Sequence, residues 1–397
     1  MLRNQIGVQA RPGASLVAAS ILSLPLGSIY AFSVLLAPLE QLLHASRADL
    51  TSVFGASAVF FTIGANLAPL LFGRLSAPLL VALTGALSAI GVTLAAVAPS
   101  LAWLILGYGL LFATGGGMAY VVVQQCVNAA PLTRPGLVNG YLVSLFPLGA
   151  MLAAPAYGLG VDWLGVRQTL AALAAVVAAT AFAAALLVAH AGVALVKHRT
   201  ASEPTGVLGD SLGAAFWKLF TLFFLAASAG LMVLSQAAGM VVAFGATNSI
   251  AVAATTGITA AIAVARLLGG WLTDRLPVPI VAASAQAVAL FGAIMLTIMP
   301  SPAVAISSSA LIGVGYGLIS GVTVAAVASY WPKSEFGRIA GRMYVAWCLA
   351  AIALPVLAGR LYDLTGGYEL AVVVAGGANL LAILIALTLP QQKRQSA

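Results

Sequence analysis

The chain has 397 residues, of which 62% are apolar and 7% charged, with 17 Lys and Arg against 9 Asp and Glu for a formal net charge of +8. A soluble domain carries roughly a quarter of its residues as charges, so this composition excludes a water-soluble globule, and a disordered chain departs from the average in the opposite direction. Long unbroken apolar runs also exclude a transmembrane β-barrel, whose strands alternate, and leave an all-α polytopic membrane protein.

An α-helix needs about 20 apolar residues to cross hydrocarbon. By that measure the chain predicts twelve spans, numbered 1 to 12, beginning near Ala14, Leu50, Ser76, Leu101, Leu137, Arg167, Gly213, Asn248, Val278, Ala303, Arg338 and Tyr368. The first follows Arg3 and Arg11 and is too long for the apolar core of a signal peptide, so it reads as a retained span. Turn residues punctuate the rest, among them Pro131 to Pro135, Asp162 to Gly165, Pro277 to Pro279, Pro332 to Glu335 and Asp363 to Gly367. One connection is long and polar, and it lies at the midpoint. The expected organisation is a six-helix bundle over 1–192, a linker over 193–212 and a second bundle over 213–397. Cys126 and Cys348 sit inside apolar runs and read as packing residues.

Placing Lys and Arg on alternate sides tests the count. Thirteen fall on the side of the two termini and the central loop, and three, Arg47, Arg167 and Arg360, fall on the other. The positive-inside bias then puts both termini in the cytoplasm, in a bacterial inner membrane by expectation. Arg266 alone is left within a span.

An ungapped offset of 201 residues superposes the two halves around spans 5 and 11: Pro131 on Pro332, Gly136 on Gly337, Gly140 on Gly341, Gly158 on Gly359, Asp162 on Asp363 and Gly165 on Gly366. Arg74-Leu75 falls on Arg275-Leu276 with the same offset. Two parallel six-helix repeats describe a major facilitator transporter, with its substrate site expected between the halves near the midplane.

Particular residues carry a resemblance. Gly269 to Leu276 (GGWLTDRL) is similar to the loop signature of the major facilitator superfamily between spans 8 and 9, with Asp274-Arg275 as its charged pair; after span 2 only Gly73-Arg74-Leu75-Ser76 stands, without the acid. Within that superfamily Gly27 to Glu40 (GSIYAFSVLLAPLE), Gly115 to Tyr120 (GGGMAY), the Trp331-Pro332 loop and Arg266 resemble the oxalate/formate antiporters and, more distantly, the monocarboxylate transporters.

Arg266 lies eight residues before Asp274, about 12 Å deep at 1.5 Å per residue in a core roughly 30 Å thick. A charge there costs about 2.5 to 3.5 kcal/mol on insertion scales. Snorkelling or carbonyl pairing is the structural alternative; the functional reading is a guanidinium that binds a carboxylate. The resemblance implies the latter, because the equivalent arginine of those families holds the substrate carboxylate. Helix counting puts Tyr120 and Trp347 at similar depth, with Gln124 one turn beyond Tyr120 on the same face. The resemblance adds Tyr30 as a cavity-lining tyrosine, and Gln236 where the monocarboxylate relatives often carry His. It also puts Trp347 where oxalate transporters carry a lysine. The 201-residue offset pairs Trp347 with Phe146, so one cation and apolar walls point to a monocarboxylate such as lactate, pyruvate or formate. For each ring, packing against helices or lipid is the alternative.

No acid or His falls inside the bundle to bind a proton, and Ile262 stands where monocarboxylate relatives have an Asp. Anion exchange and proton–anion symport both remain, with exchange favoured. Asp274 with Arg275, near Arg338 and Arg342 at the cytoplasmic ends, is expected to latch the outward-open state by charge pairing across the two halves. The rival readings are efflux of a lipophilic or drug-like compound and a membrane sensor that binds without transporting. Nothing in the sequence suggests an enzyme, a cofactor, a metal or a nucleic-acid partner, and the expected assembly is a monomer in the bilayer.

Overall fold

The computed structural model describes residues 12–195 and 213–391. Arg3, Arg11, Lys197, Arg199, Lys393, Arg394 and most of the expected linker lie outside the described residues. Among those described, twelve helices are long and apolar enough to cross a membrane. Spans 1 to 6 are Gly13–Leu43, Ser52–Leu71, Ala77–Ala96, Leu101–Asn128, Pro135–Leu164 and Val166–Ala191. Spans 7 to 12 are Ala214–Gln236, Ala254–Thr273, Val278–Ile298, Pro302–Tyr330, Phe336–Thr365 and Glu369–Leu387. These are helices because hydrocarbon offers no water to backbone N–H and C=O groups, and a helix satisfies them within its own segment.

Local chemistry sets the ends. Before span 2, Asp49 N–H donates to Ser46 Oγ at 3.1 Å and Ser46 N–H donates back to Asp49 Oδ2 at 3.2 Å, a reciprocal cap. Span 10 starts at Pro302 behind Ser301, whose Oγ accepts Val304 N–H at 3.3 Å. Spans 5 and 11 are followed by Gly165 (φ 83°) and Gly366 (φ 75°), left-handed positions that a Cβ would strain. Those two glycines are 201 residues apart, so the repeat extends to the backbone. It breaks at Gly73, with φ 72°, whose counterpart Asp274 has φ −74°.

The chain divides into two compact units, one of Met1–Thr133, Leu145–Ser202 and Lys333–Gly341, the other of Arg134–Ser144, Glu203–Pro332 and Arg342–Ala397. Spans 5 and 11 thus each begin in one unit and continue in the other.

In the first unit two spans depart from α geometry. Gly27–Leu35 in span 1 is a 3₁₀ stretch and Ile105–Phe112 in span 4 is a π stretch, and Phe32 and Tyr108 from these stretches bring their rings to 4.8 Å. In the second unit span 10 presents Gly313, Gly317 and Gly321, one turn apart, to span 8. A Cβ at these positions would run into Ile262, Ala265 and the carbonyl of Arg266. Small residues at this spacing let two backbones touch, the main source of helix cohesion where lipid is as apolar as the side chains.

Candidate substrate site

That glycine stripe fixes Arg266. Gly321 lies against its carbonyl from span 10, and Gly140 lies against the same carbonyl from the start of span 5. The side chain is 9% exposed. Its Nη2 donates to the Tyr316 hydroxyl at 3.0 Å, its Nη1 reaches the Val143 carbonyl at 3.4 Å, and its Cζ lies 5.3 Å from the Tyr316 ring centroid. Trp347, also buried, donates its indole N–H to the same hydroxyl at 3.0 Å. Tyr316 therefore joins two residues that the sequence had singled out separately.

A phenol oxygen offers two lone pairs and one proton. Arg266 and Trp347 are obligate donors and occupy both lone pairs, so the Tyr316 proton has to go to an acceptor. The cluster is a set of converging donors around one cation. Gly230 of span 7 makes room for it: a Cβ there would overlap the Tyr316 side chain from Cβ into the ring. Sequence reasoning missed Tyr316, although the signal was present. It lies fourteen residues from either end of span 10, between Gly315 and Gly317, and counting depth along that span would have put it at the middle.

Within the first unit the structure gathers three other expected residues. Tyr120 and Phe146 rings meet edge to face at 5.0 Å, Tyr30 meets Phe146 at 6.3 Å, and Phe61 packs on Phe146 at 5.6 Å and on Tyr120 at 5.8 Å. Phe61 was not anticipated. Gln124, one turn from Tyr120, is 1% exposed, and neither end of its amide has a hydrogen-bond partner among the described residues. A buried amide left this way costs about 1 to 3 kcal/mol, which a ligand would recover.

Gln236 is placed elsewhere. It accepts the Tyr368 hydroxyl at 3.1 Å, tying the end of span 7 to the residue before span 12. Burial, with Tyr362 and Asp363 adding to it, raises the Tyr368 pKa, so the phenol stays a donor at neutral pH.

Three of the four expected gating residues have contacts that can be described. Asp274 gives both oxygens to backbone amides at the start of span 5, Gly136 N–H at 2.7 Å and Leu137 N–H at 2.8 Å. Arg275 stacks on Trp271, its Cζ 3.6 Å from the ring centroid. Arg338 pairs with Glu335, three residues earlier. Arg342 follows one turn later on span 11.

Comparison with known proteins gives the family and the fold. The Major Facilitator Superfamily pattern matches residues 17–321 and 219–397. YhjX of Escherichia coli (strain K12), described as an uncharacterized MFS-type transporter, is 23% identical over 351 residues, covering 85% of each chain. The crystal structure of the MFS transporter FucP in its outward conformation superposes with a TM-score of 0.73 at 14% identity, over 96% of this chain and 99% of FucP. The proton:xylose symporter XylE, bound to 6-bromo-6-deoxy-D-glucose, superposes with a TM-score of 0.74 at 14% identity, over 96% of both chains.

Proposed function

Because the chain belongs to the major facilitator superfamily, we propose that it carries small organic monoanions, monocarboxylates such as lactate, pyruvate or formate, across the membrane by alternating access. Arg266 is the docking cation, and Tyr316 supplies the second donor to the carboxylate. The observation that carries this reading is the doubly occupied Tyr316 oxygen beside a buried mid-span guanidinium. An anion satisfies that donor and neutralises the arginine at once. Trp347 spends its N–H on Tyr316 and adds no charge, so one carboxylate matches the site better than two.

Among the described residues, no Asp or Glu stands in the middle of a span to hold a proton. Exchange of one anion for another follows: neutralising Arg266 lowers the cost of occluding it, and that gain is present only in the loaded carrier. The basic residues orient both termini toward the cytoplasm, in a bacterial inner membrane. A second reading, efflux of a lipophilic compound, is favoured by one observation, the four rings of Tyr30, Phe61, Tyr120 and Phe146.

Purified protein reconstituted into liposomes, with labelled lactate, pyruvate, formate and oxalate and with or without internal anion, tests the proposal. Saturable monocarboxylate uptake that needs internal anion and falls about a hundredfold or more in Arg266→Gln is expected, the scale for removing one partner of a buried charge contact. Uptake unchanged in Arg266→Gln removes the carboxylate reading. Proton-driven uptake into vesicles without internal anion removes exchange.

A further inference from the structure

We propose that Gln125 is a positioning residue for transport: it caps the N-terminus of span 11 without charge, as the Asp274 carboxylate caps span 5. The proposal does not depend on the substrate. The first N–H groups of a helix have no partner within it. Span 5 opens on Gly136 and Leu137, whose N–H groups go to Asp274 at 2.7 and 2.8 Å. Its repeat counterpart opens on Gly337, 201 residues on, whose N–H goes to Gln125 Oε1 at 2.7 Å. Gln125 Nε2 in turn donates to the Lys333 carbonyl at 2.8 Å. Lys333 Nζ donates to the Ala130 carbonyl at 2.9 Å, and Asn66 Nδ2 donates to the Gly341 carbonyl at 2.8 Å. This set of bonds lies wholly within the first unit and holds the stretch Lys333–Gly341 there.

The repeat shows why a glutamine is needed. The position equivalent to Asp274 is Gly73, which has no side chain, and the position equivalent to Gln125 is Ala326. Each half therefore supplies one capping side chain, and from a different helix. The two caps have the same geometry and different physics. A carboxylate on a helix N-terminus draws on the macrodipole and is weakened by salt, whereas a neutral amide is indifferent to it.

The test uses full-length protein in detergent and in liposomes, with Cys126→Ala and Cys348→Ala as background and Ala340→Cys as reporter. Ala340 is 3% exposed and lies in the held turn. Losing two neutral hydrogen bonds, each worth about 1 kcal/mol, predicts that Gln125→Ala raises the labelling rate of the reporter by a hydrophilic maleimide about tenfold or more. It lowers kcat for transport and leaves KM within about twofold. Gln125→Glu keeps the acceptor for Gly337 and loses the donor to Lys333, so its labelling is intermediate and rises with salt, unlike that of the native glutamine. Labelling and kcat unchanged in Gln125→Ala overturn the proposal, and so does a rise in KM alone, which marks a substrate contact. If Gln125→Ala fails to fold, Gln125→Glu decides: labelling without salt dependence overturns the proposal. The labelling needs no substrate, so failure of the monocarboxylate reading is seen separately.

Discussion

The second unit concentrates a cation, a phenol and an indole on one shared oxygen, and the first gathers four rings and an unpartnered amide. The two halves match at an offset of 201 residues, as Gly136 and Gly337 or Gly165 and Gly366 show, yet their mid-span chemistry differs. Offset by 201, Tyr316 falls on Gly115 and Trp347 on Phe146. The offset holds at turns, where backbone geometry is decisive, and fails at the mid-span side chains, charged and hydrogen-bonded in one half and aromatic in the other.

Substitutions break or sharpen that contrast. The largest effect after loss of Arg266 belongs to Tyr316→Phe, which removes the acceptor for two buried donors and the donor proposed for the anion. A tenfold to hundredfold fall in kcat/KM is expected, on the scale of about 1.5 to 3 kcal/mol for hydrogen bonds to charged groups. Tyr316→Phe with native kinetics would mean the phenol is scaffolding.

Next comes Gly230→Ala, whose new Cβ collides with the Tyr316 side chain. Overpacking of about 1 to 2 kcal/mol predicts a rise of about tenfold in half-saturation, while Gly158→Ala, with open space around its Cβ position, transports normally. Equal behaviour of the two variants argues against a constrained ring.

In the first unit Phe61→Leu should cost monocarboxylate uptake only about twofold to threefold. A much larger loss, or a gain for small acids with loss of lipophilic ones, shifts weight to the aromatic cluster. The smallest change is expected of Gln124→Leu. Replacing an unsatisfied buried amide by an apolar group of similar size leaves thermal stability the same or slightly higher. Abolished uptake in that variant would show that the polar contacts extend beyond the second unit.

Much of the fold was legible because bilayer thickness leaves the backbone few options. Eleven of the twelve spans begin within two residues of the positions expected from apolar runs, and span 8 begins six residues later. Arg266 was legible for a similar reason, since a lone charge in an apolar run is expensive enough to stand out. Tyr316 was not: a tyrosine among glycines carries no such cost, and its importance comes from two donors on other spans. The partner of Asp274 was hidden for another reason. A sequence shows which side chains are charged, but it does not show which helix start will offer its unpaired amides to them. The irregular stretches in spans 1 and 4 were hidden too, because 3₁₀, π and α segments share the same apolar composition.

The glycine stripe on span 10 has a dynamic consequence. With Gly317 and Gly321 seated on the backbone of span 8 and Gly269 returning the contact against Leu318, the two helices interlock and travel as a single lever. Arg266 and Tyr316 sit on this interlocked pair, 3.0 Å apart, so on the proposed reading a bound anion keeps both ligands as the pair moves.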